Sequence, residues 1–173
     1  MKKNVLIIGA GGVGHVVAHK CAQHNRKLGA IHLASRNPAK CQQIIDSIHA
    51  RGSLQEPGIL EAHALDALDI DATRALIRQL DIHIVINVGS AFVNMAVLRA
   101  CLDTGAAYLD TAIHEDPAKI CGCCEQIEEI SEILPLSTIK YKIKCTPVKL
   151  DGTVALPLQR FVRCAFFIKE FLC

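Results

Sequence analysis

The stretch Val5–Gly14 (VLIIGAGGVG) joins a short apolar run directly to a glycine-rich turn. Four branched aliphatic residues in a row are typical of a buried β-strand. The turn has the spacing GxGxxG, and helical spacing of apolar residues then continues through Val13, Val16, Val17 and Cys21, the face we expect to be buried. A strand, this turn and a helix in that order predict the first unit of a dinucleotide-binding fold.

The alternation of strand and helix patterns continues to about residue 120. The predicted strands, in chain order, are Asn4–Ile8, Ala30–Ser35, a segment within Ile59–Leu65, His83–Val88 and Ala107–Leu109. Short links between alternating strands and helices favour right-handed crossovers and a parallel sheet with helices on both faces. The sequence therefore predicts an α/β fold, a Rossmann-type doubly wound parallel sheet.

Helix ends are predicted from residues with capping preferences. Asn37 precedes Pro38 as an N-cap, Asp71 is expected to cap the third helix, and Gly105 is expected to end the fourth. The predicted buried faces of the second and third helices are Cys41, Ile44, Ile45 and Ile48, and Ala72, Ala75, Leu76 and Leu80.

Composition narrows the functional class. A chain of 173 residues is expected to hold one full-sized domain, and its 51% hydrophobic residues supply the core. A net charge of +2 and 4% aromatic residues argue against a nucleic-acid partner. No run approaches the ~20 apolar residues of a membrane span, and no secretory signal is recognisable. We therefore expect a cytoplasmic protein with reduced cysteines.

The amino-acid composition of the chain changes near residue 121. No histidine follows His114, and six of the nine cysteines lie in 121–173. We expect an NADP-binding Rossmann domain over residues 1–120 and an atypical tail over 121–173, interpreted as a frameshifted or truncated remnant. Cys121 and Cys124 form a C-x-x-C pair without a second pair, so accidental cysteines are favoured over a metal or redox site, and no metal is predicted. The segment Thr138–Lys144 alternates apolar and basic residues with a period of two, as a half-exposed strand would.

Each glycine of the GxGxxG turn is expected to have a different structural role. Gly9 allows the tight turn, Gly11 allows a pyrophosphate to approach, and Gly14 allows close packing of helix on strand. The first helix would then direct its free N–H groups at the phosphates. The alternative is an ordinary strand-to-helix turn that binds no nucleotide.

The end of the second strand predicts NADP(H) as the cofactor. NAD-binding domains usually place a carboxylate there, whereas this chain has Ser35 and Arg36, which suit a 2′-phosphate. The alternative is that Arg36 simply points into solvent. At the following strand ends, Asp69 is expected to border the adenine, and Asn87 and Val88 the nicotinamide.

One histidine is a candidate for acid–base chemistry. His114 lies beside Glu115 and Asp116, just past the fifth predicted strand. A histidine beside carboxylates holds a proton near neutral pH. A solvated loop is the favoured alternative, and no catalytic residue is assigned.

Several blocks resemble the saccharopine dehydrogenase family, and in particular its carboxynorspermidine dehydrogenase branch. They are Val5–Gly14, Ala34–Arg36, Val85–Val88, Ala100–Gly105 and Tyr108–Ala112. The resemblance covers residues 1 to about 120, and the later blocks are more specific than the glycine motif.

The resemblance implies an NADPH-dependent oxidoreductase of polyamine or amino-acid metabolism, which reduces an imine of an aldehyde and an amine to a secondary amine. In this branch the aldehyde is aspartate β-semialdehyde and the amine is a diamine. It also implies a second, substrate-binding domain that forms a homodimer. The cofactor residues carried over by position are Gly9, Gly11, Gly12, Val13, Gly14, Ser35, Arg36, Asn87 and Val88, with Asp110 and Thr111 on the substrate side. A non-catalytic NADP-binding sensor remains the alternative, and whether the chain is an active enzyme stays open.

Overall fold

A computed structural model describes residues 2–111 and two short strands further along the chain. The first unit contains, in order, β1 (Lys3–Ile8), α1 (Gly12–Ala22), β2 (Leu28–Ser35), α2 (Pro38–Ala50), β3 (Leu60–Ala64), α3 (Ile70–Gln79), β4 (Ile82–Asn87), a 3₁₀ turn (Ala91–Val93), α4 (Asn94–Thr104) and β5 (Ala107–Asp110).

A second unit contains the two remaining strands. β6 (Lys142–Lys144) pairs antiparallel with β7 (Arg163–Ala165), with Ile143 opposite Cys164. β6 lies within the alternating lysine segment that the sequence predicts as a strand. The C-x-x-C pair at Cys121 and Cys124, like His114, lies outside the described residues.

All five strands of the first unit are parallel, in the order β3-β2-β1-β4-β5. The chain builds outward from β1 through β2 to β3 and then returns to the other side of β1. The predicted doubly wound sheet is therefore confirmed. Such a reversal of strand order opens a crevice at the carboxyl ends of β1 and β4, where ligands bind in this class of fold. Ile8 at the end of β1 lies between Ala34 and Asn87.

The core lies on both faces of β1, in which Val5–Ile8 are at most 3% exposed. The predicted inner face of α2 is correct, because Cys41, Ile44, Ile45 and Ile48 all pack in the cluster between α2 and the sheet. Two of the three capping predictions, at Asn37 and Gly105, are confirmed as well. Asn37 accepts a hydrogen bond from the N–H of Ala39, and Gly105 ends α4 with φ of 75°.

The predicted face of α1 is correct in part, because Val17 and Cys21 pack against the core and Val13 and Val16 do not. Val13 and Val16 are 53% and 58% exposed, whereas Gly14, Ala18 and Ala22 face the sheet. The reason is steric: a Cβ added at Gly14 would overlap the carbonyl oxygen of Gly9. The helix approaches β1 so closely that its contact face consists mainly of small residues, and Val13 and Val16 turn outward.

The predicted cap and face of α3 are also wrong. The cap is Asp69, whose Oδ1 accepts from the N–H of Ala72 at 2.9 Å, while Asp71 lies exposed in the first turn. Thr73 and Ile77 are the buried residues of the helix. Two aspartates compete for the cap in this sequence, and the earlier one reaches the third helical N–H, the usual partner of a capping oxygen.

Substitution of Gly14 tests this close approach. We expect Gly14→Ala to lower the free energy of unfolding by about 1–3 kcal/mol, because its methyl group would overlap backbone. Gly12→Ala is the matched control, since nothing lies within 4 Å of an added Cβ there. Urea unfolding measures both, and equal stability of the two variants would contradict the packing described.

Candidate functional site

The turns that follow β1 and β4 meet at the crevice. Gly9 follows β1 with φ of +116°, and a Cβ added there would lie 2.8 Å from the backbone nitrogen of Gly89 and 2.9 Å from the carbonyl carbon of Val88. Val88 itself donates from its N–H to the Ile8 carbonyl at 2.9 Å. Gly9 is thus required twice, by its left-handed backbone and by the close approach of the second turn.

The rest of the glycine turn is open. Nothing lies within 4 Å of a Cβ added at Gly11 or Gly12. Gly11 is the N-cap of α1 and has no side chain to accept from the helix, and no acidic residue lies in the first turn. The first N–H groups of a helix have no partner within the helix, so this end of α1 carries a partial positive charge, and no acidic side chain in the first turn offsets it. The geometry suits a phosphate group.

An open cavity of about 610 Å³ lies beside this turn, within the size range of ligand pockets. Its lining includes Gly11, Gly12 and His15 from one side and Lys40 and Gln43 of α2 from the other. Sequence reasoning missed Lys40. The signal that could have found it is its place in the first turn of the helix that follows the cofactor-discriminating strand end.

Ser35 and Arg36 lie where β2 passes into α2. The Ser35 hydroxyl donates to the carbonyl of Asn37 at 2.7 Å and accepts from its N–H at 3.2 Å, so this hydroxyl shapes the turn. Arg36 is exposed. The structure therefore leaves the guanidinium accessible to a ligand, whereas the serine proton is already engaged.

Asn87, predicted beside the nicotinamide, is 2% exposed. Its Nδ2 donates to Asn94 Oδ1 at 2.8 Å, and its Oδ1 accepts from the N–H of Gly89 at 3.2 Å. The Asn87 side chain is therefore buried beneath the Val88–Gly89 turn and holds that turn in place, rather than facing the crevice. Asn94 lies at the start of α4 and is also buried.

The other predicted residues lie at different depths around the same sheet edge. Asp69 is engaged as the cap of α3, Val13 is exposed on the first turn of α1, and Val88 is 8% exposed beneath Gly14. Thr111 is exposed directly after β5.

Asp110 at the end of β5 has a perturbed carboxyl group. The Tyr108 hydroxyl donates to its Oδ2 at 3.0 Å, and Oδ1 has no hydrogen-bond partner within the described part of the chain. Burial raises the pKa of Asp110 to about 6, against the opposing effect of the Tyr108 hydrogen bond. Burial and the neighbouring Asp110 also raise the pKa of Tyr108. A carboxyl group of this kind holds a proton close to neutral pH.

These features coincide with a known sequence family. The pattern of the saccharopine dehydrogenase NADP binding domain matches residues 5–146. The chain belongs to this family. Membership confirms the family prediction and the cofactor prediction of NADP(H).

The relatives extend beyond this domain. The chain is 44% identical over 126 residues to the carboxynorspermidine synthase of Vibrio alginolyticus, covering 72% of this chain and 30% of that protein. It is 44% identical over 113 residues to the carboxyaminopropylagmatine dehydrogenase of Synechocystis, covering 65% of this chain and 26% of that protein. The chain thus spans less than a third of the length of these relatives.

A solved structure supports the fold. The apo, L-Glu-forming saccharopine dehydrogenase of Saccharomyces cerevisiae superposes with a TM-score of 0.51 at 20% identity, covering 67% of this chain and 23% of that one. Within the described residues, no helix has both the length and the apolar character needed to cross a bilayer.

The raised pKa of Asp110 predicts a pH-dependent stability effect. Since the folded pKa of about 6 exceeds the ordinary 3.8, the folded state favours the protonated acid, and the cost of burying its charge is present above pH 6 and absent below pH 3.8. We expect Asp110→Asn to stabilise the fold by about 1 kcal/mol at pH 8, after allowance for partial solvent screening.

Unfolding by urea at a series of pH values measures this effect. The gain should shrink as the pH falls through 6, whereas the exposed control Asp71→Asn should show no such trend. A gain from Asp110→Asn that stays constant between pH 8 and pH 4 would refute the perturbed carboxyl.

Proposed function

We propose that the chain is the NADPH-binding domain, over residues 1–120, of a reductase of the carboxynorspermidine type. Such an enzyme reduces the imine formed between aspartate β-semialdehyde and a diamine to a secondary amine. The observation that supports it most is the open, positively charged start of α1 beside Gly11 and Gly12, in a chain 44% identical to a carboxynorspermidine synthase.

The phosphate contacts divide between two helices. The pyrophosphate would lie against the backbone of Gly11 and Gly12, and Val13 and Gly14 would contribute the next N–H groups of α1. The 2′-phosphate would lie near Arg36, with Lys40 as a second cation on the cavity wall. Two cations at this strand end favour NADPH over NADH because the second cofactor lacks the phosphate group.

The nicotinamide end would lie beyond β4. Val88 and Gly89 supply the backbone of the second turn, and Asn87 is a positioning residue that holds this turn through its bond to Gly89. Asp69 would border the adenosine side of the crevice. Asp110 and Thr111, together with His114, are assigned to the substrate side.

The reduction needs a hydride and a proton. NADPH, when bound, would supply the hydride for the imine carbon, and the imine nitrogen would take up a proton to give the amine. Asp110 is the described residue best suited to hold a proton near this end of the sheet, since its carboxyl is raised in pKa and one oxygen lacks a partner among the described residues. The homodimer and the cytoplasmic location of the whole enzyme are part of the same proposal.

Arg36 tests the cofactor preference. We expect Arg36→Ala to weaken NADPH binding about 10-fold or more and to leave NADH binding nearly unchanged, because a lost charge-assisted bond typically costs ~1.5–3 kcal/mol. The matched control is Arg26→Ala, which removes an exposed arginine before β2, at the end remote from the cavity. Titration calorimetry with both cofactors measures this. Equal weakening of NADPH and NADH by Arg36→Ala would reject the assignment.

Gly11 tests the pyrophosphate position. Gly11→Val would project a branched side chain into the space that the phosphates need, so binding of NADPH and NADH should both be lost while the fold survives. Circular dichroism and urea unfolding verify the fold. Unchanged cofactor binding by a folded Gly11→Val variant would place the nucleotide elsewhere.

Turnover separates the reductase from the alternative of an NADP-binding sensor. Oxidation of NADPH that requires both the aldehyde and the amine supports the reductase. A protein spanning the full length of the relatives that binds NADPH and never oxidises it in their presence would favour the sensor.

A further inference from the structure

Three side chains with metal-binding atoms meet on β2 and β3, within the sheet and away from the glycine turn. They are His32, Glu61 and His63, whose donor atoms all lie within 4.8 Å of one another. Parallel pairing sets His32 directly opposite Glu61, and His63 follows two residues later on the same face. Spacing along the sequence could not indicate this cluster, because His32 lies far from Glu61 and His63 in the chain.

The cluster lies on the face of the sheet opposite α1 and α2. Ile31 and Leu33, which flank His32, pack in the core between the sheet and those helices, so His32 points to the other face. His32 is 4% exposed, and the Glu61 side chain is 53% exposed. The cluster is therefore closed toward the protein interior and open to solvent at its carboxylate, which gives an ion a path of entry.

The three distances between the donor atoms are close to those of adjacent ligands around one small cation. His32 Nδ1 lies 3.0 Å from His63 Nε2 and 3.5 Å from the nearer Glu61 oxygen, which lies 3.8 Å from His63 Nε2. Tetrahedral ligands at the usual zinc distances of about 2.0–2.2 Å lie roughly 3.3–3.6 Å apart. A small rotation of exposed Glu61 would bring its oxygen closer to His63 Nε2, and the two imidazoles would have to separate by about 0.3 Å to reach that spacing.

The two imidazoles can both offer a lone pair to the same ion. His32 Nδ1 and His63 Nε2 lie 3.0 Å apart. A neutral imidazole carries its proton on one nitrogen only, so both inner nitrogens are free to accept when each ring is protonated on its outer nitrogen.

We propose that His32, Glu61 and His63 bind one divalent transition-metal ion, with Zn²⁺ the best match to a two-histidine, one-carboxylate ligand set. Water completes the tetrahedron at the open side. The ion links the edge strand β3 to β2, and its site uses none of the residues assigned to the cofactor.

Zinc stoichiometry of the full chain tests the site. After chelation and equilibrium dialysis against Zn²⁺, we expect His63→Gln to bind one ion fewer than the unaltered chain. Cysteines are identical in both proteins, so any zinc held by thiolates cancels in the difference. Glu61→Gln, at an exposed position, should fold normally and weaken this one site by roughly 10–100-fold.

A second histidine pair serves as the control. His15 and His19 stack at 4.6 Å on α1 and are the competing zinc ligands in the described part of the chain. His15→Gln should leave the zinc count unchanged. Loss of the ion from His15→Gln but not from His63→Gln, or equal counts in all four proteins, would overturn the proposal.

Cobalt substitution identifies the ligands directly. Co²⁺ in the site should give the visible absorption of a tetrahedral ion with nitrogen and oxygen ligands, and both Glu61→Gln and His63→Gln should diminish it. Thiolate-to-cobalt charge transfer that accounts for the whole spectrum, unchanged in these variants, would assign the metal to cysteines instead.

Discussion

The close approach of three backbone segments at the end of β1 determines the rest of the structure. Gly9 touches the Val88–Gly89 turn on one side and the start of α1 at Gly14 on the other. A Cβ at Gly9 or at Gly14 would overlap backbone atoms, so these two glycines allow two strand ends and a helix N-terminus to come together. The positive end of α1 faces the crevice because this approach fixes the direction in which the helix leaves the sheet.

The same constraint explains where sequence patterns succeed and fail. Local patterns predict the five strands, the α2 face and the caps at Asn37 and Gly105. Strands and helix faces require only apolar side chains at the right spacing, and each cap depends on one residue type. The face of α1 could be predicted only in part from hydrophobicity. Val17 and Cys21 do pack on the core, but close contact with β1 selects for small residues and leaves Val13 and Val16 outside. For α3, two aspartates in Asp69–Asp71 fit the capping pattern equally well, and only the geometry of the Ala72 N–H decides between them.

Residues that meet across strands are harder to predict. The glycine turn and the Ser35–Arg36 end are continuous in sequence, so motif spacing finds them. Lys40 reaches the cavity because α2 begins at Pro38 and turns back over the glycine turn, a fact that depends on the crossover. The cluster of His32, Glu61 and His63 exists only through the parallel register of β2 and β3, and a shift of β3 by one residue would point Glu61 and His63 to the other face.

Strand order also separates the chemical tasks of the proposed site. β2 lies on one side of β1, and β4 and β5 lie on the other. The cationic residues Arg36 and Lys40 therefore fall on one flank of the crevice and the half-buried acid Asp110 on the opposite flank. A dinucleotide laid across the switch point would place its 2′-phosphate against the cations and its reactive ring toward the acid. The cations on one flank are thereby separated from the acid on the other. They would strengthen phosphate binding without lowering the pKa of Asp110, which burial raises to about 6. Substitutions that alter the cofactor preference at Arg36 and Lys40 can therefore leave the protonation of Asp110 unchanged.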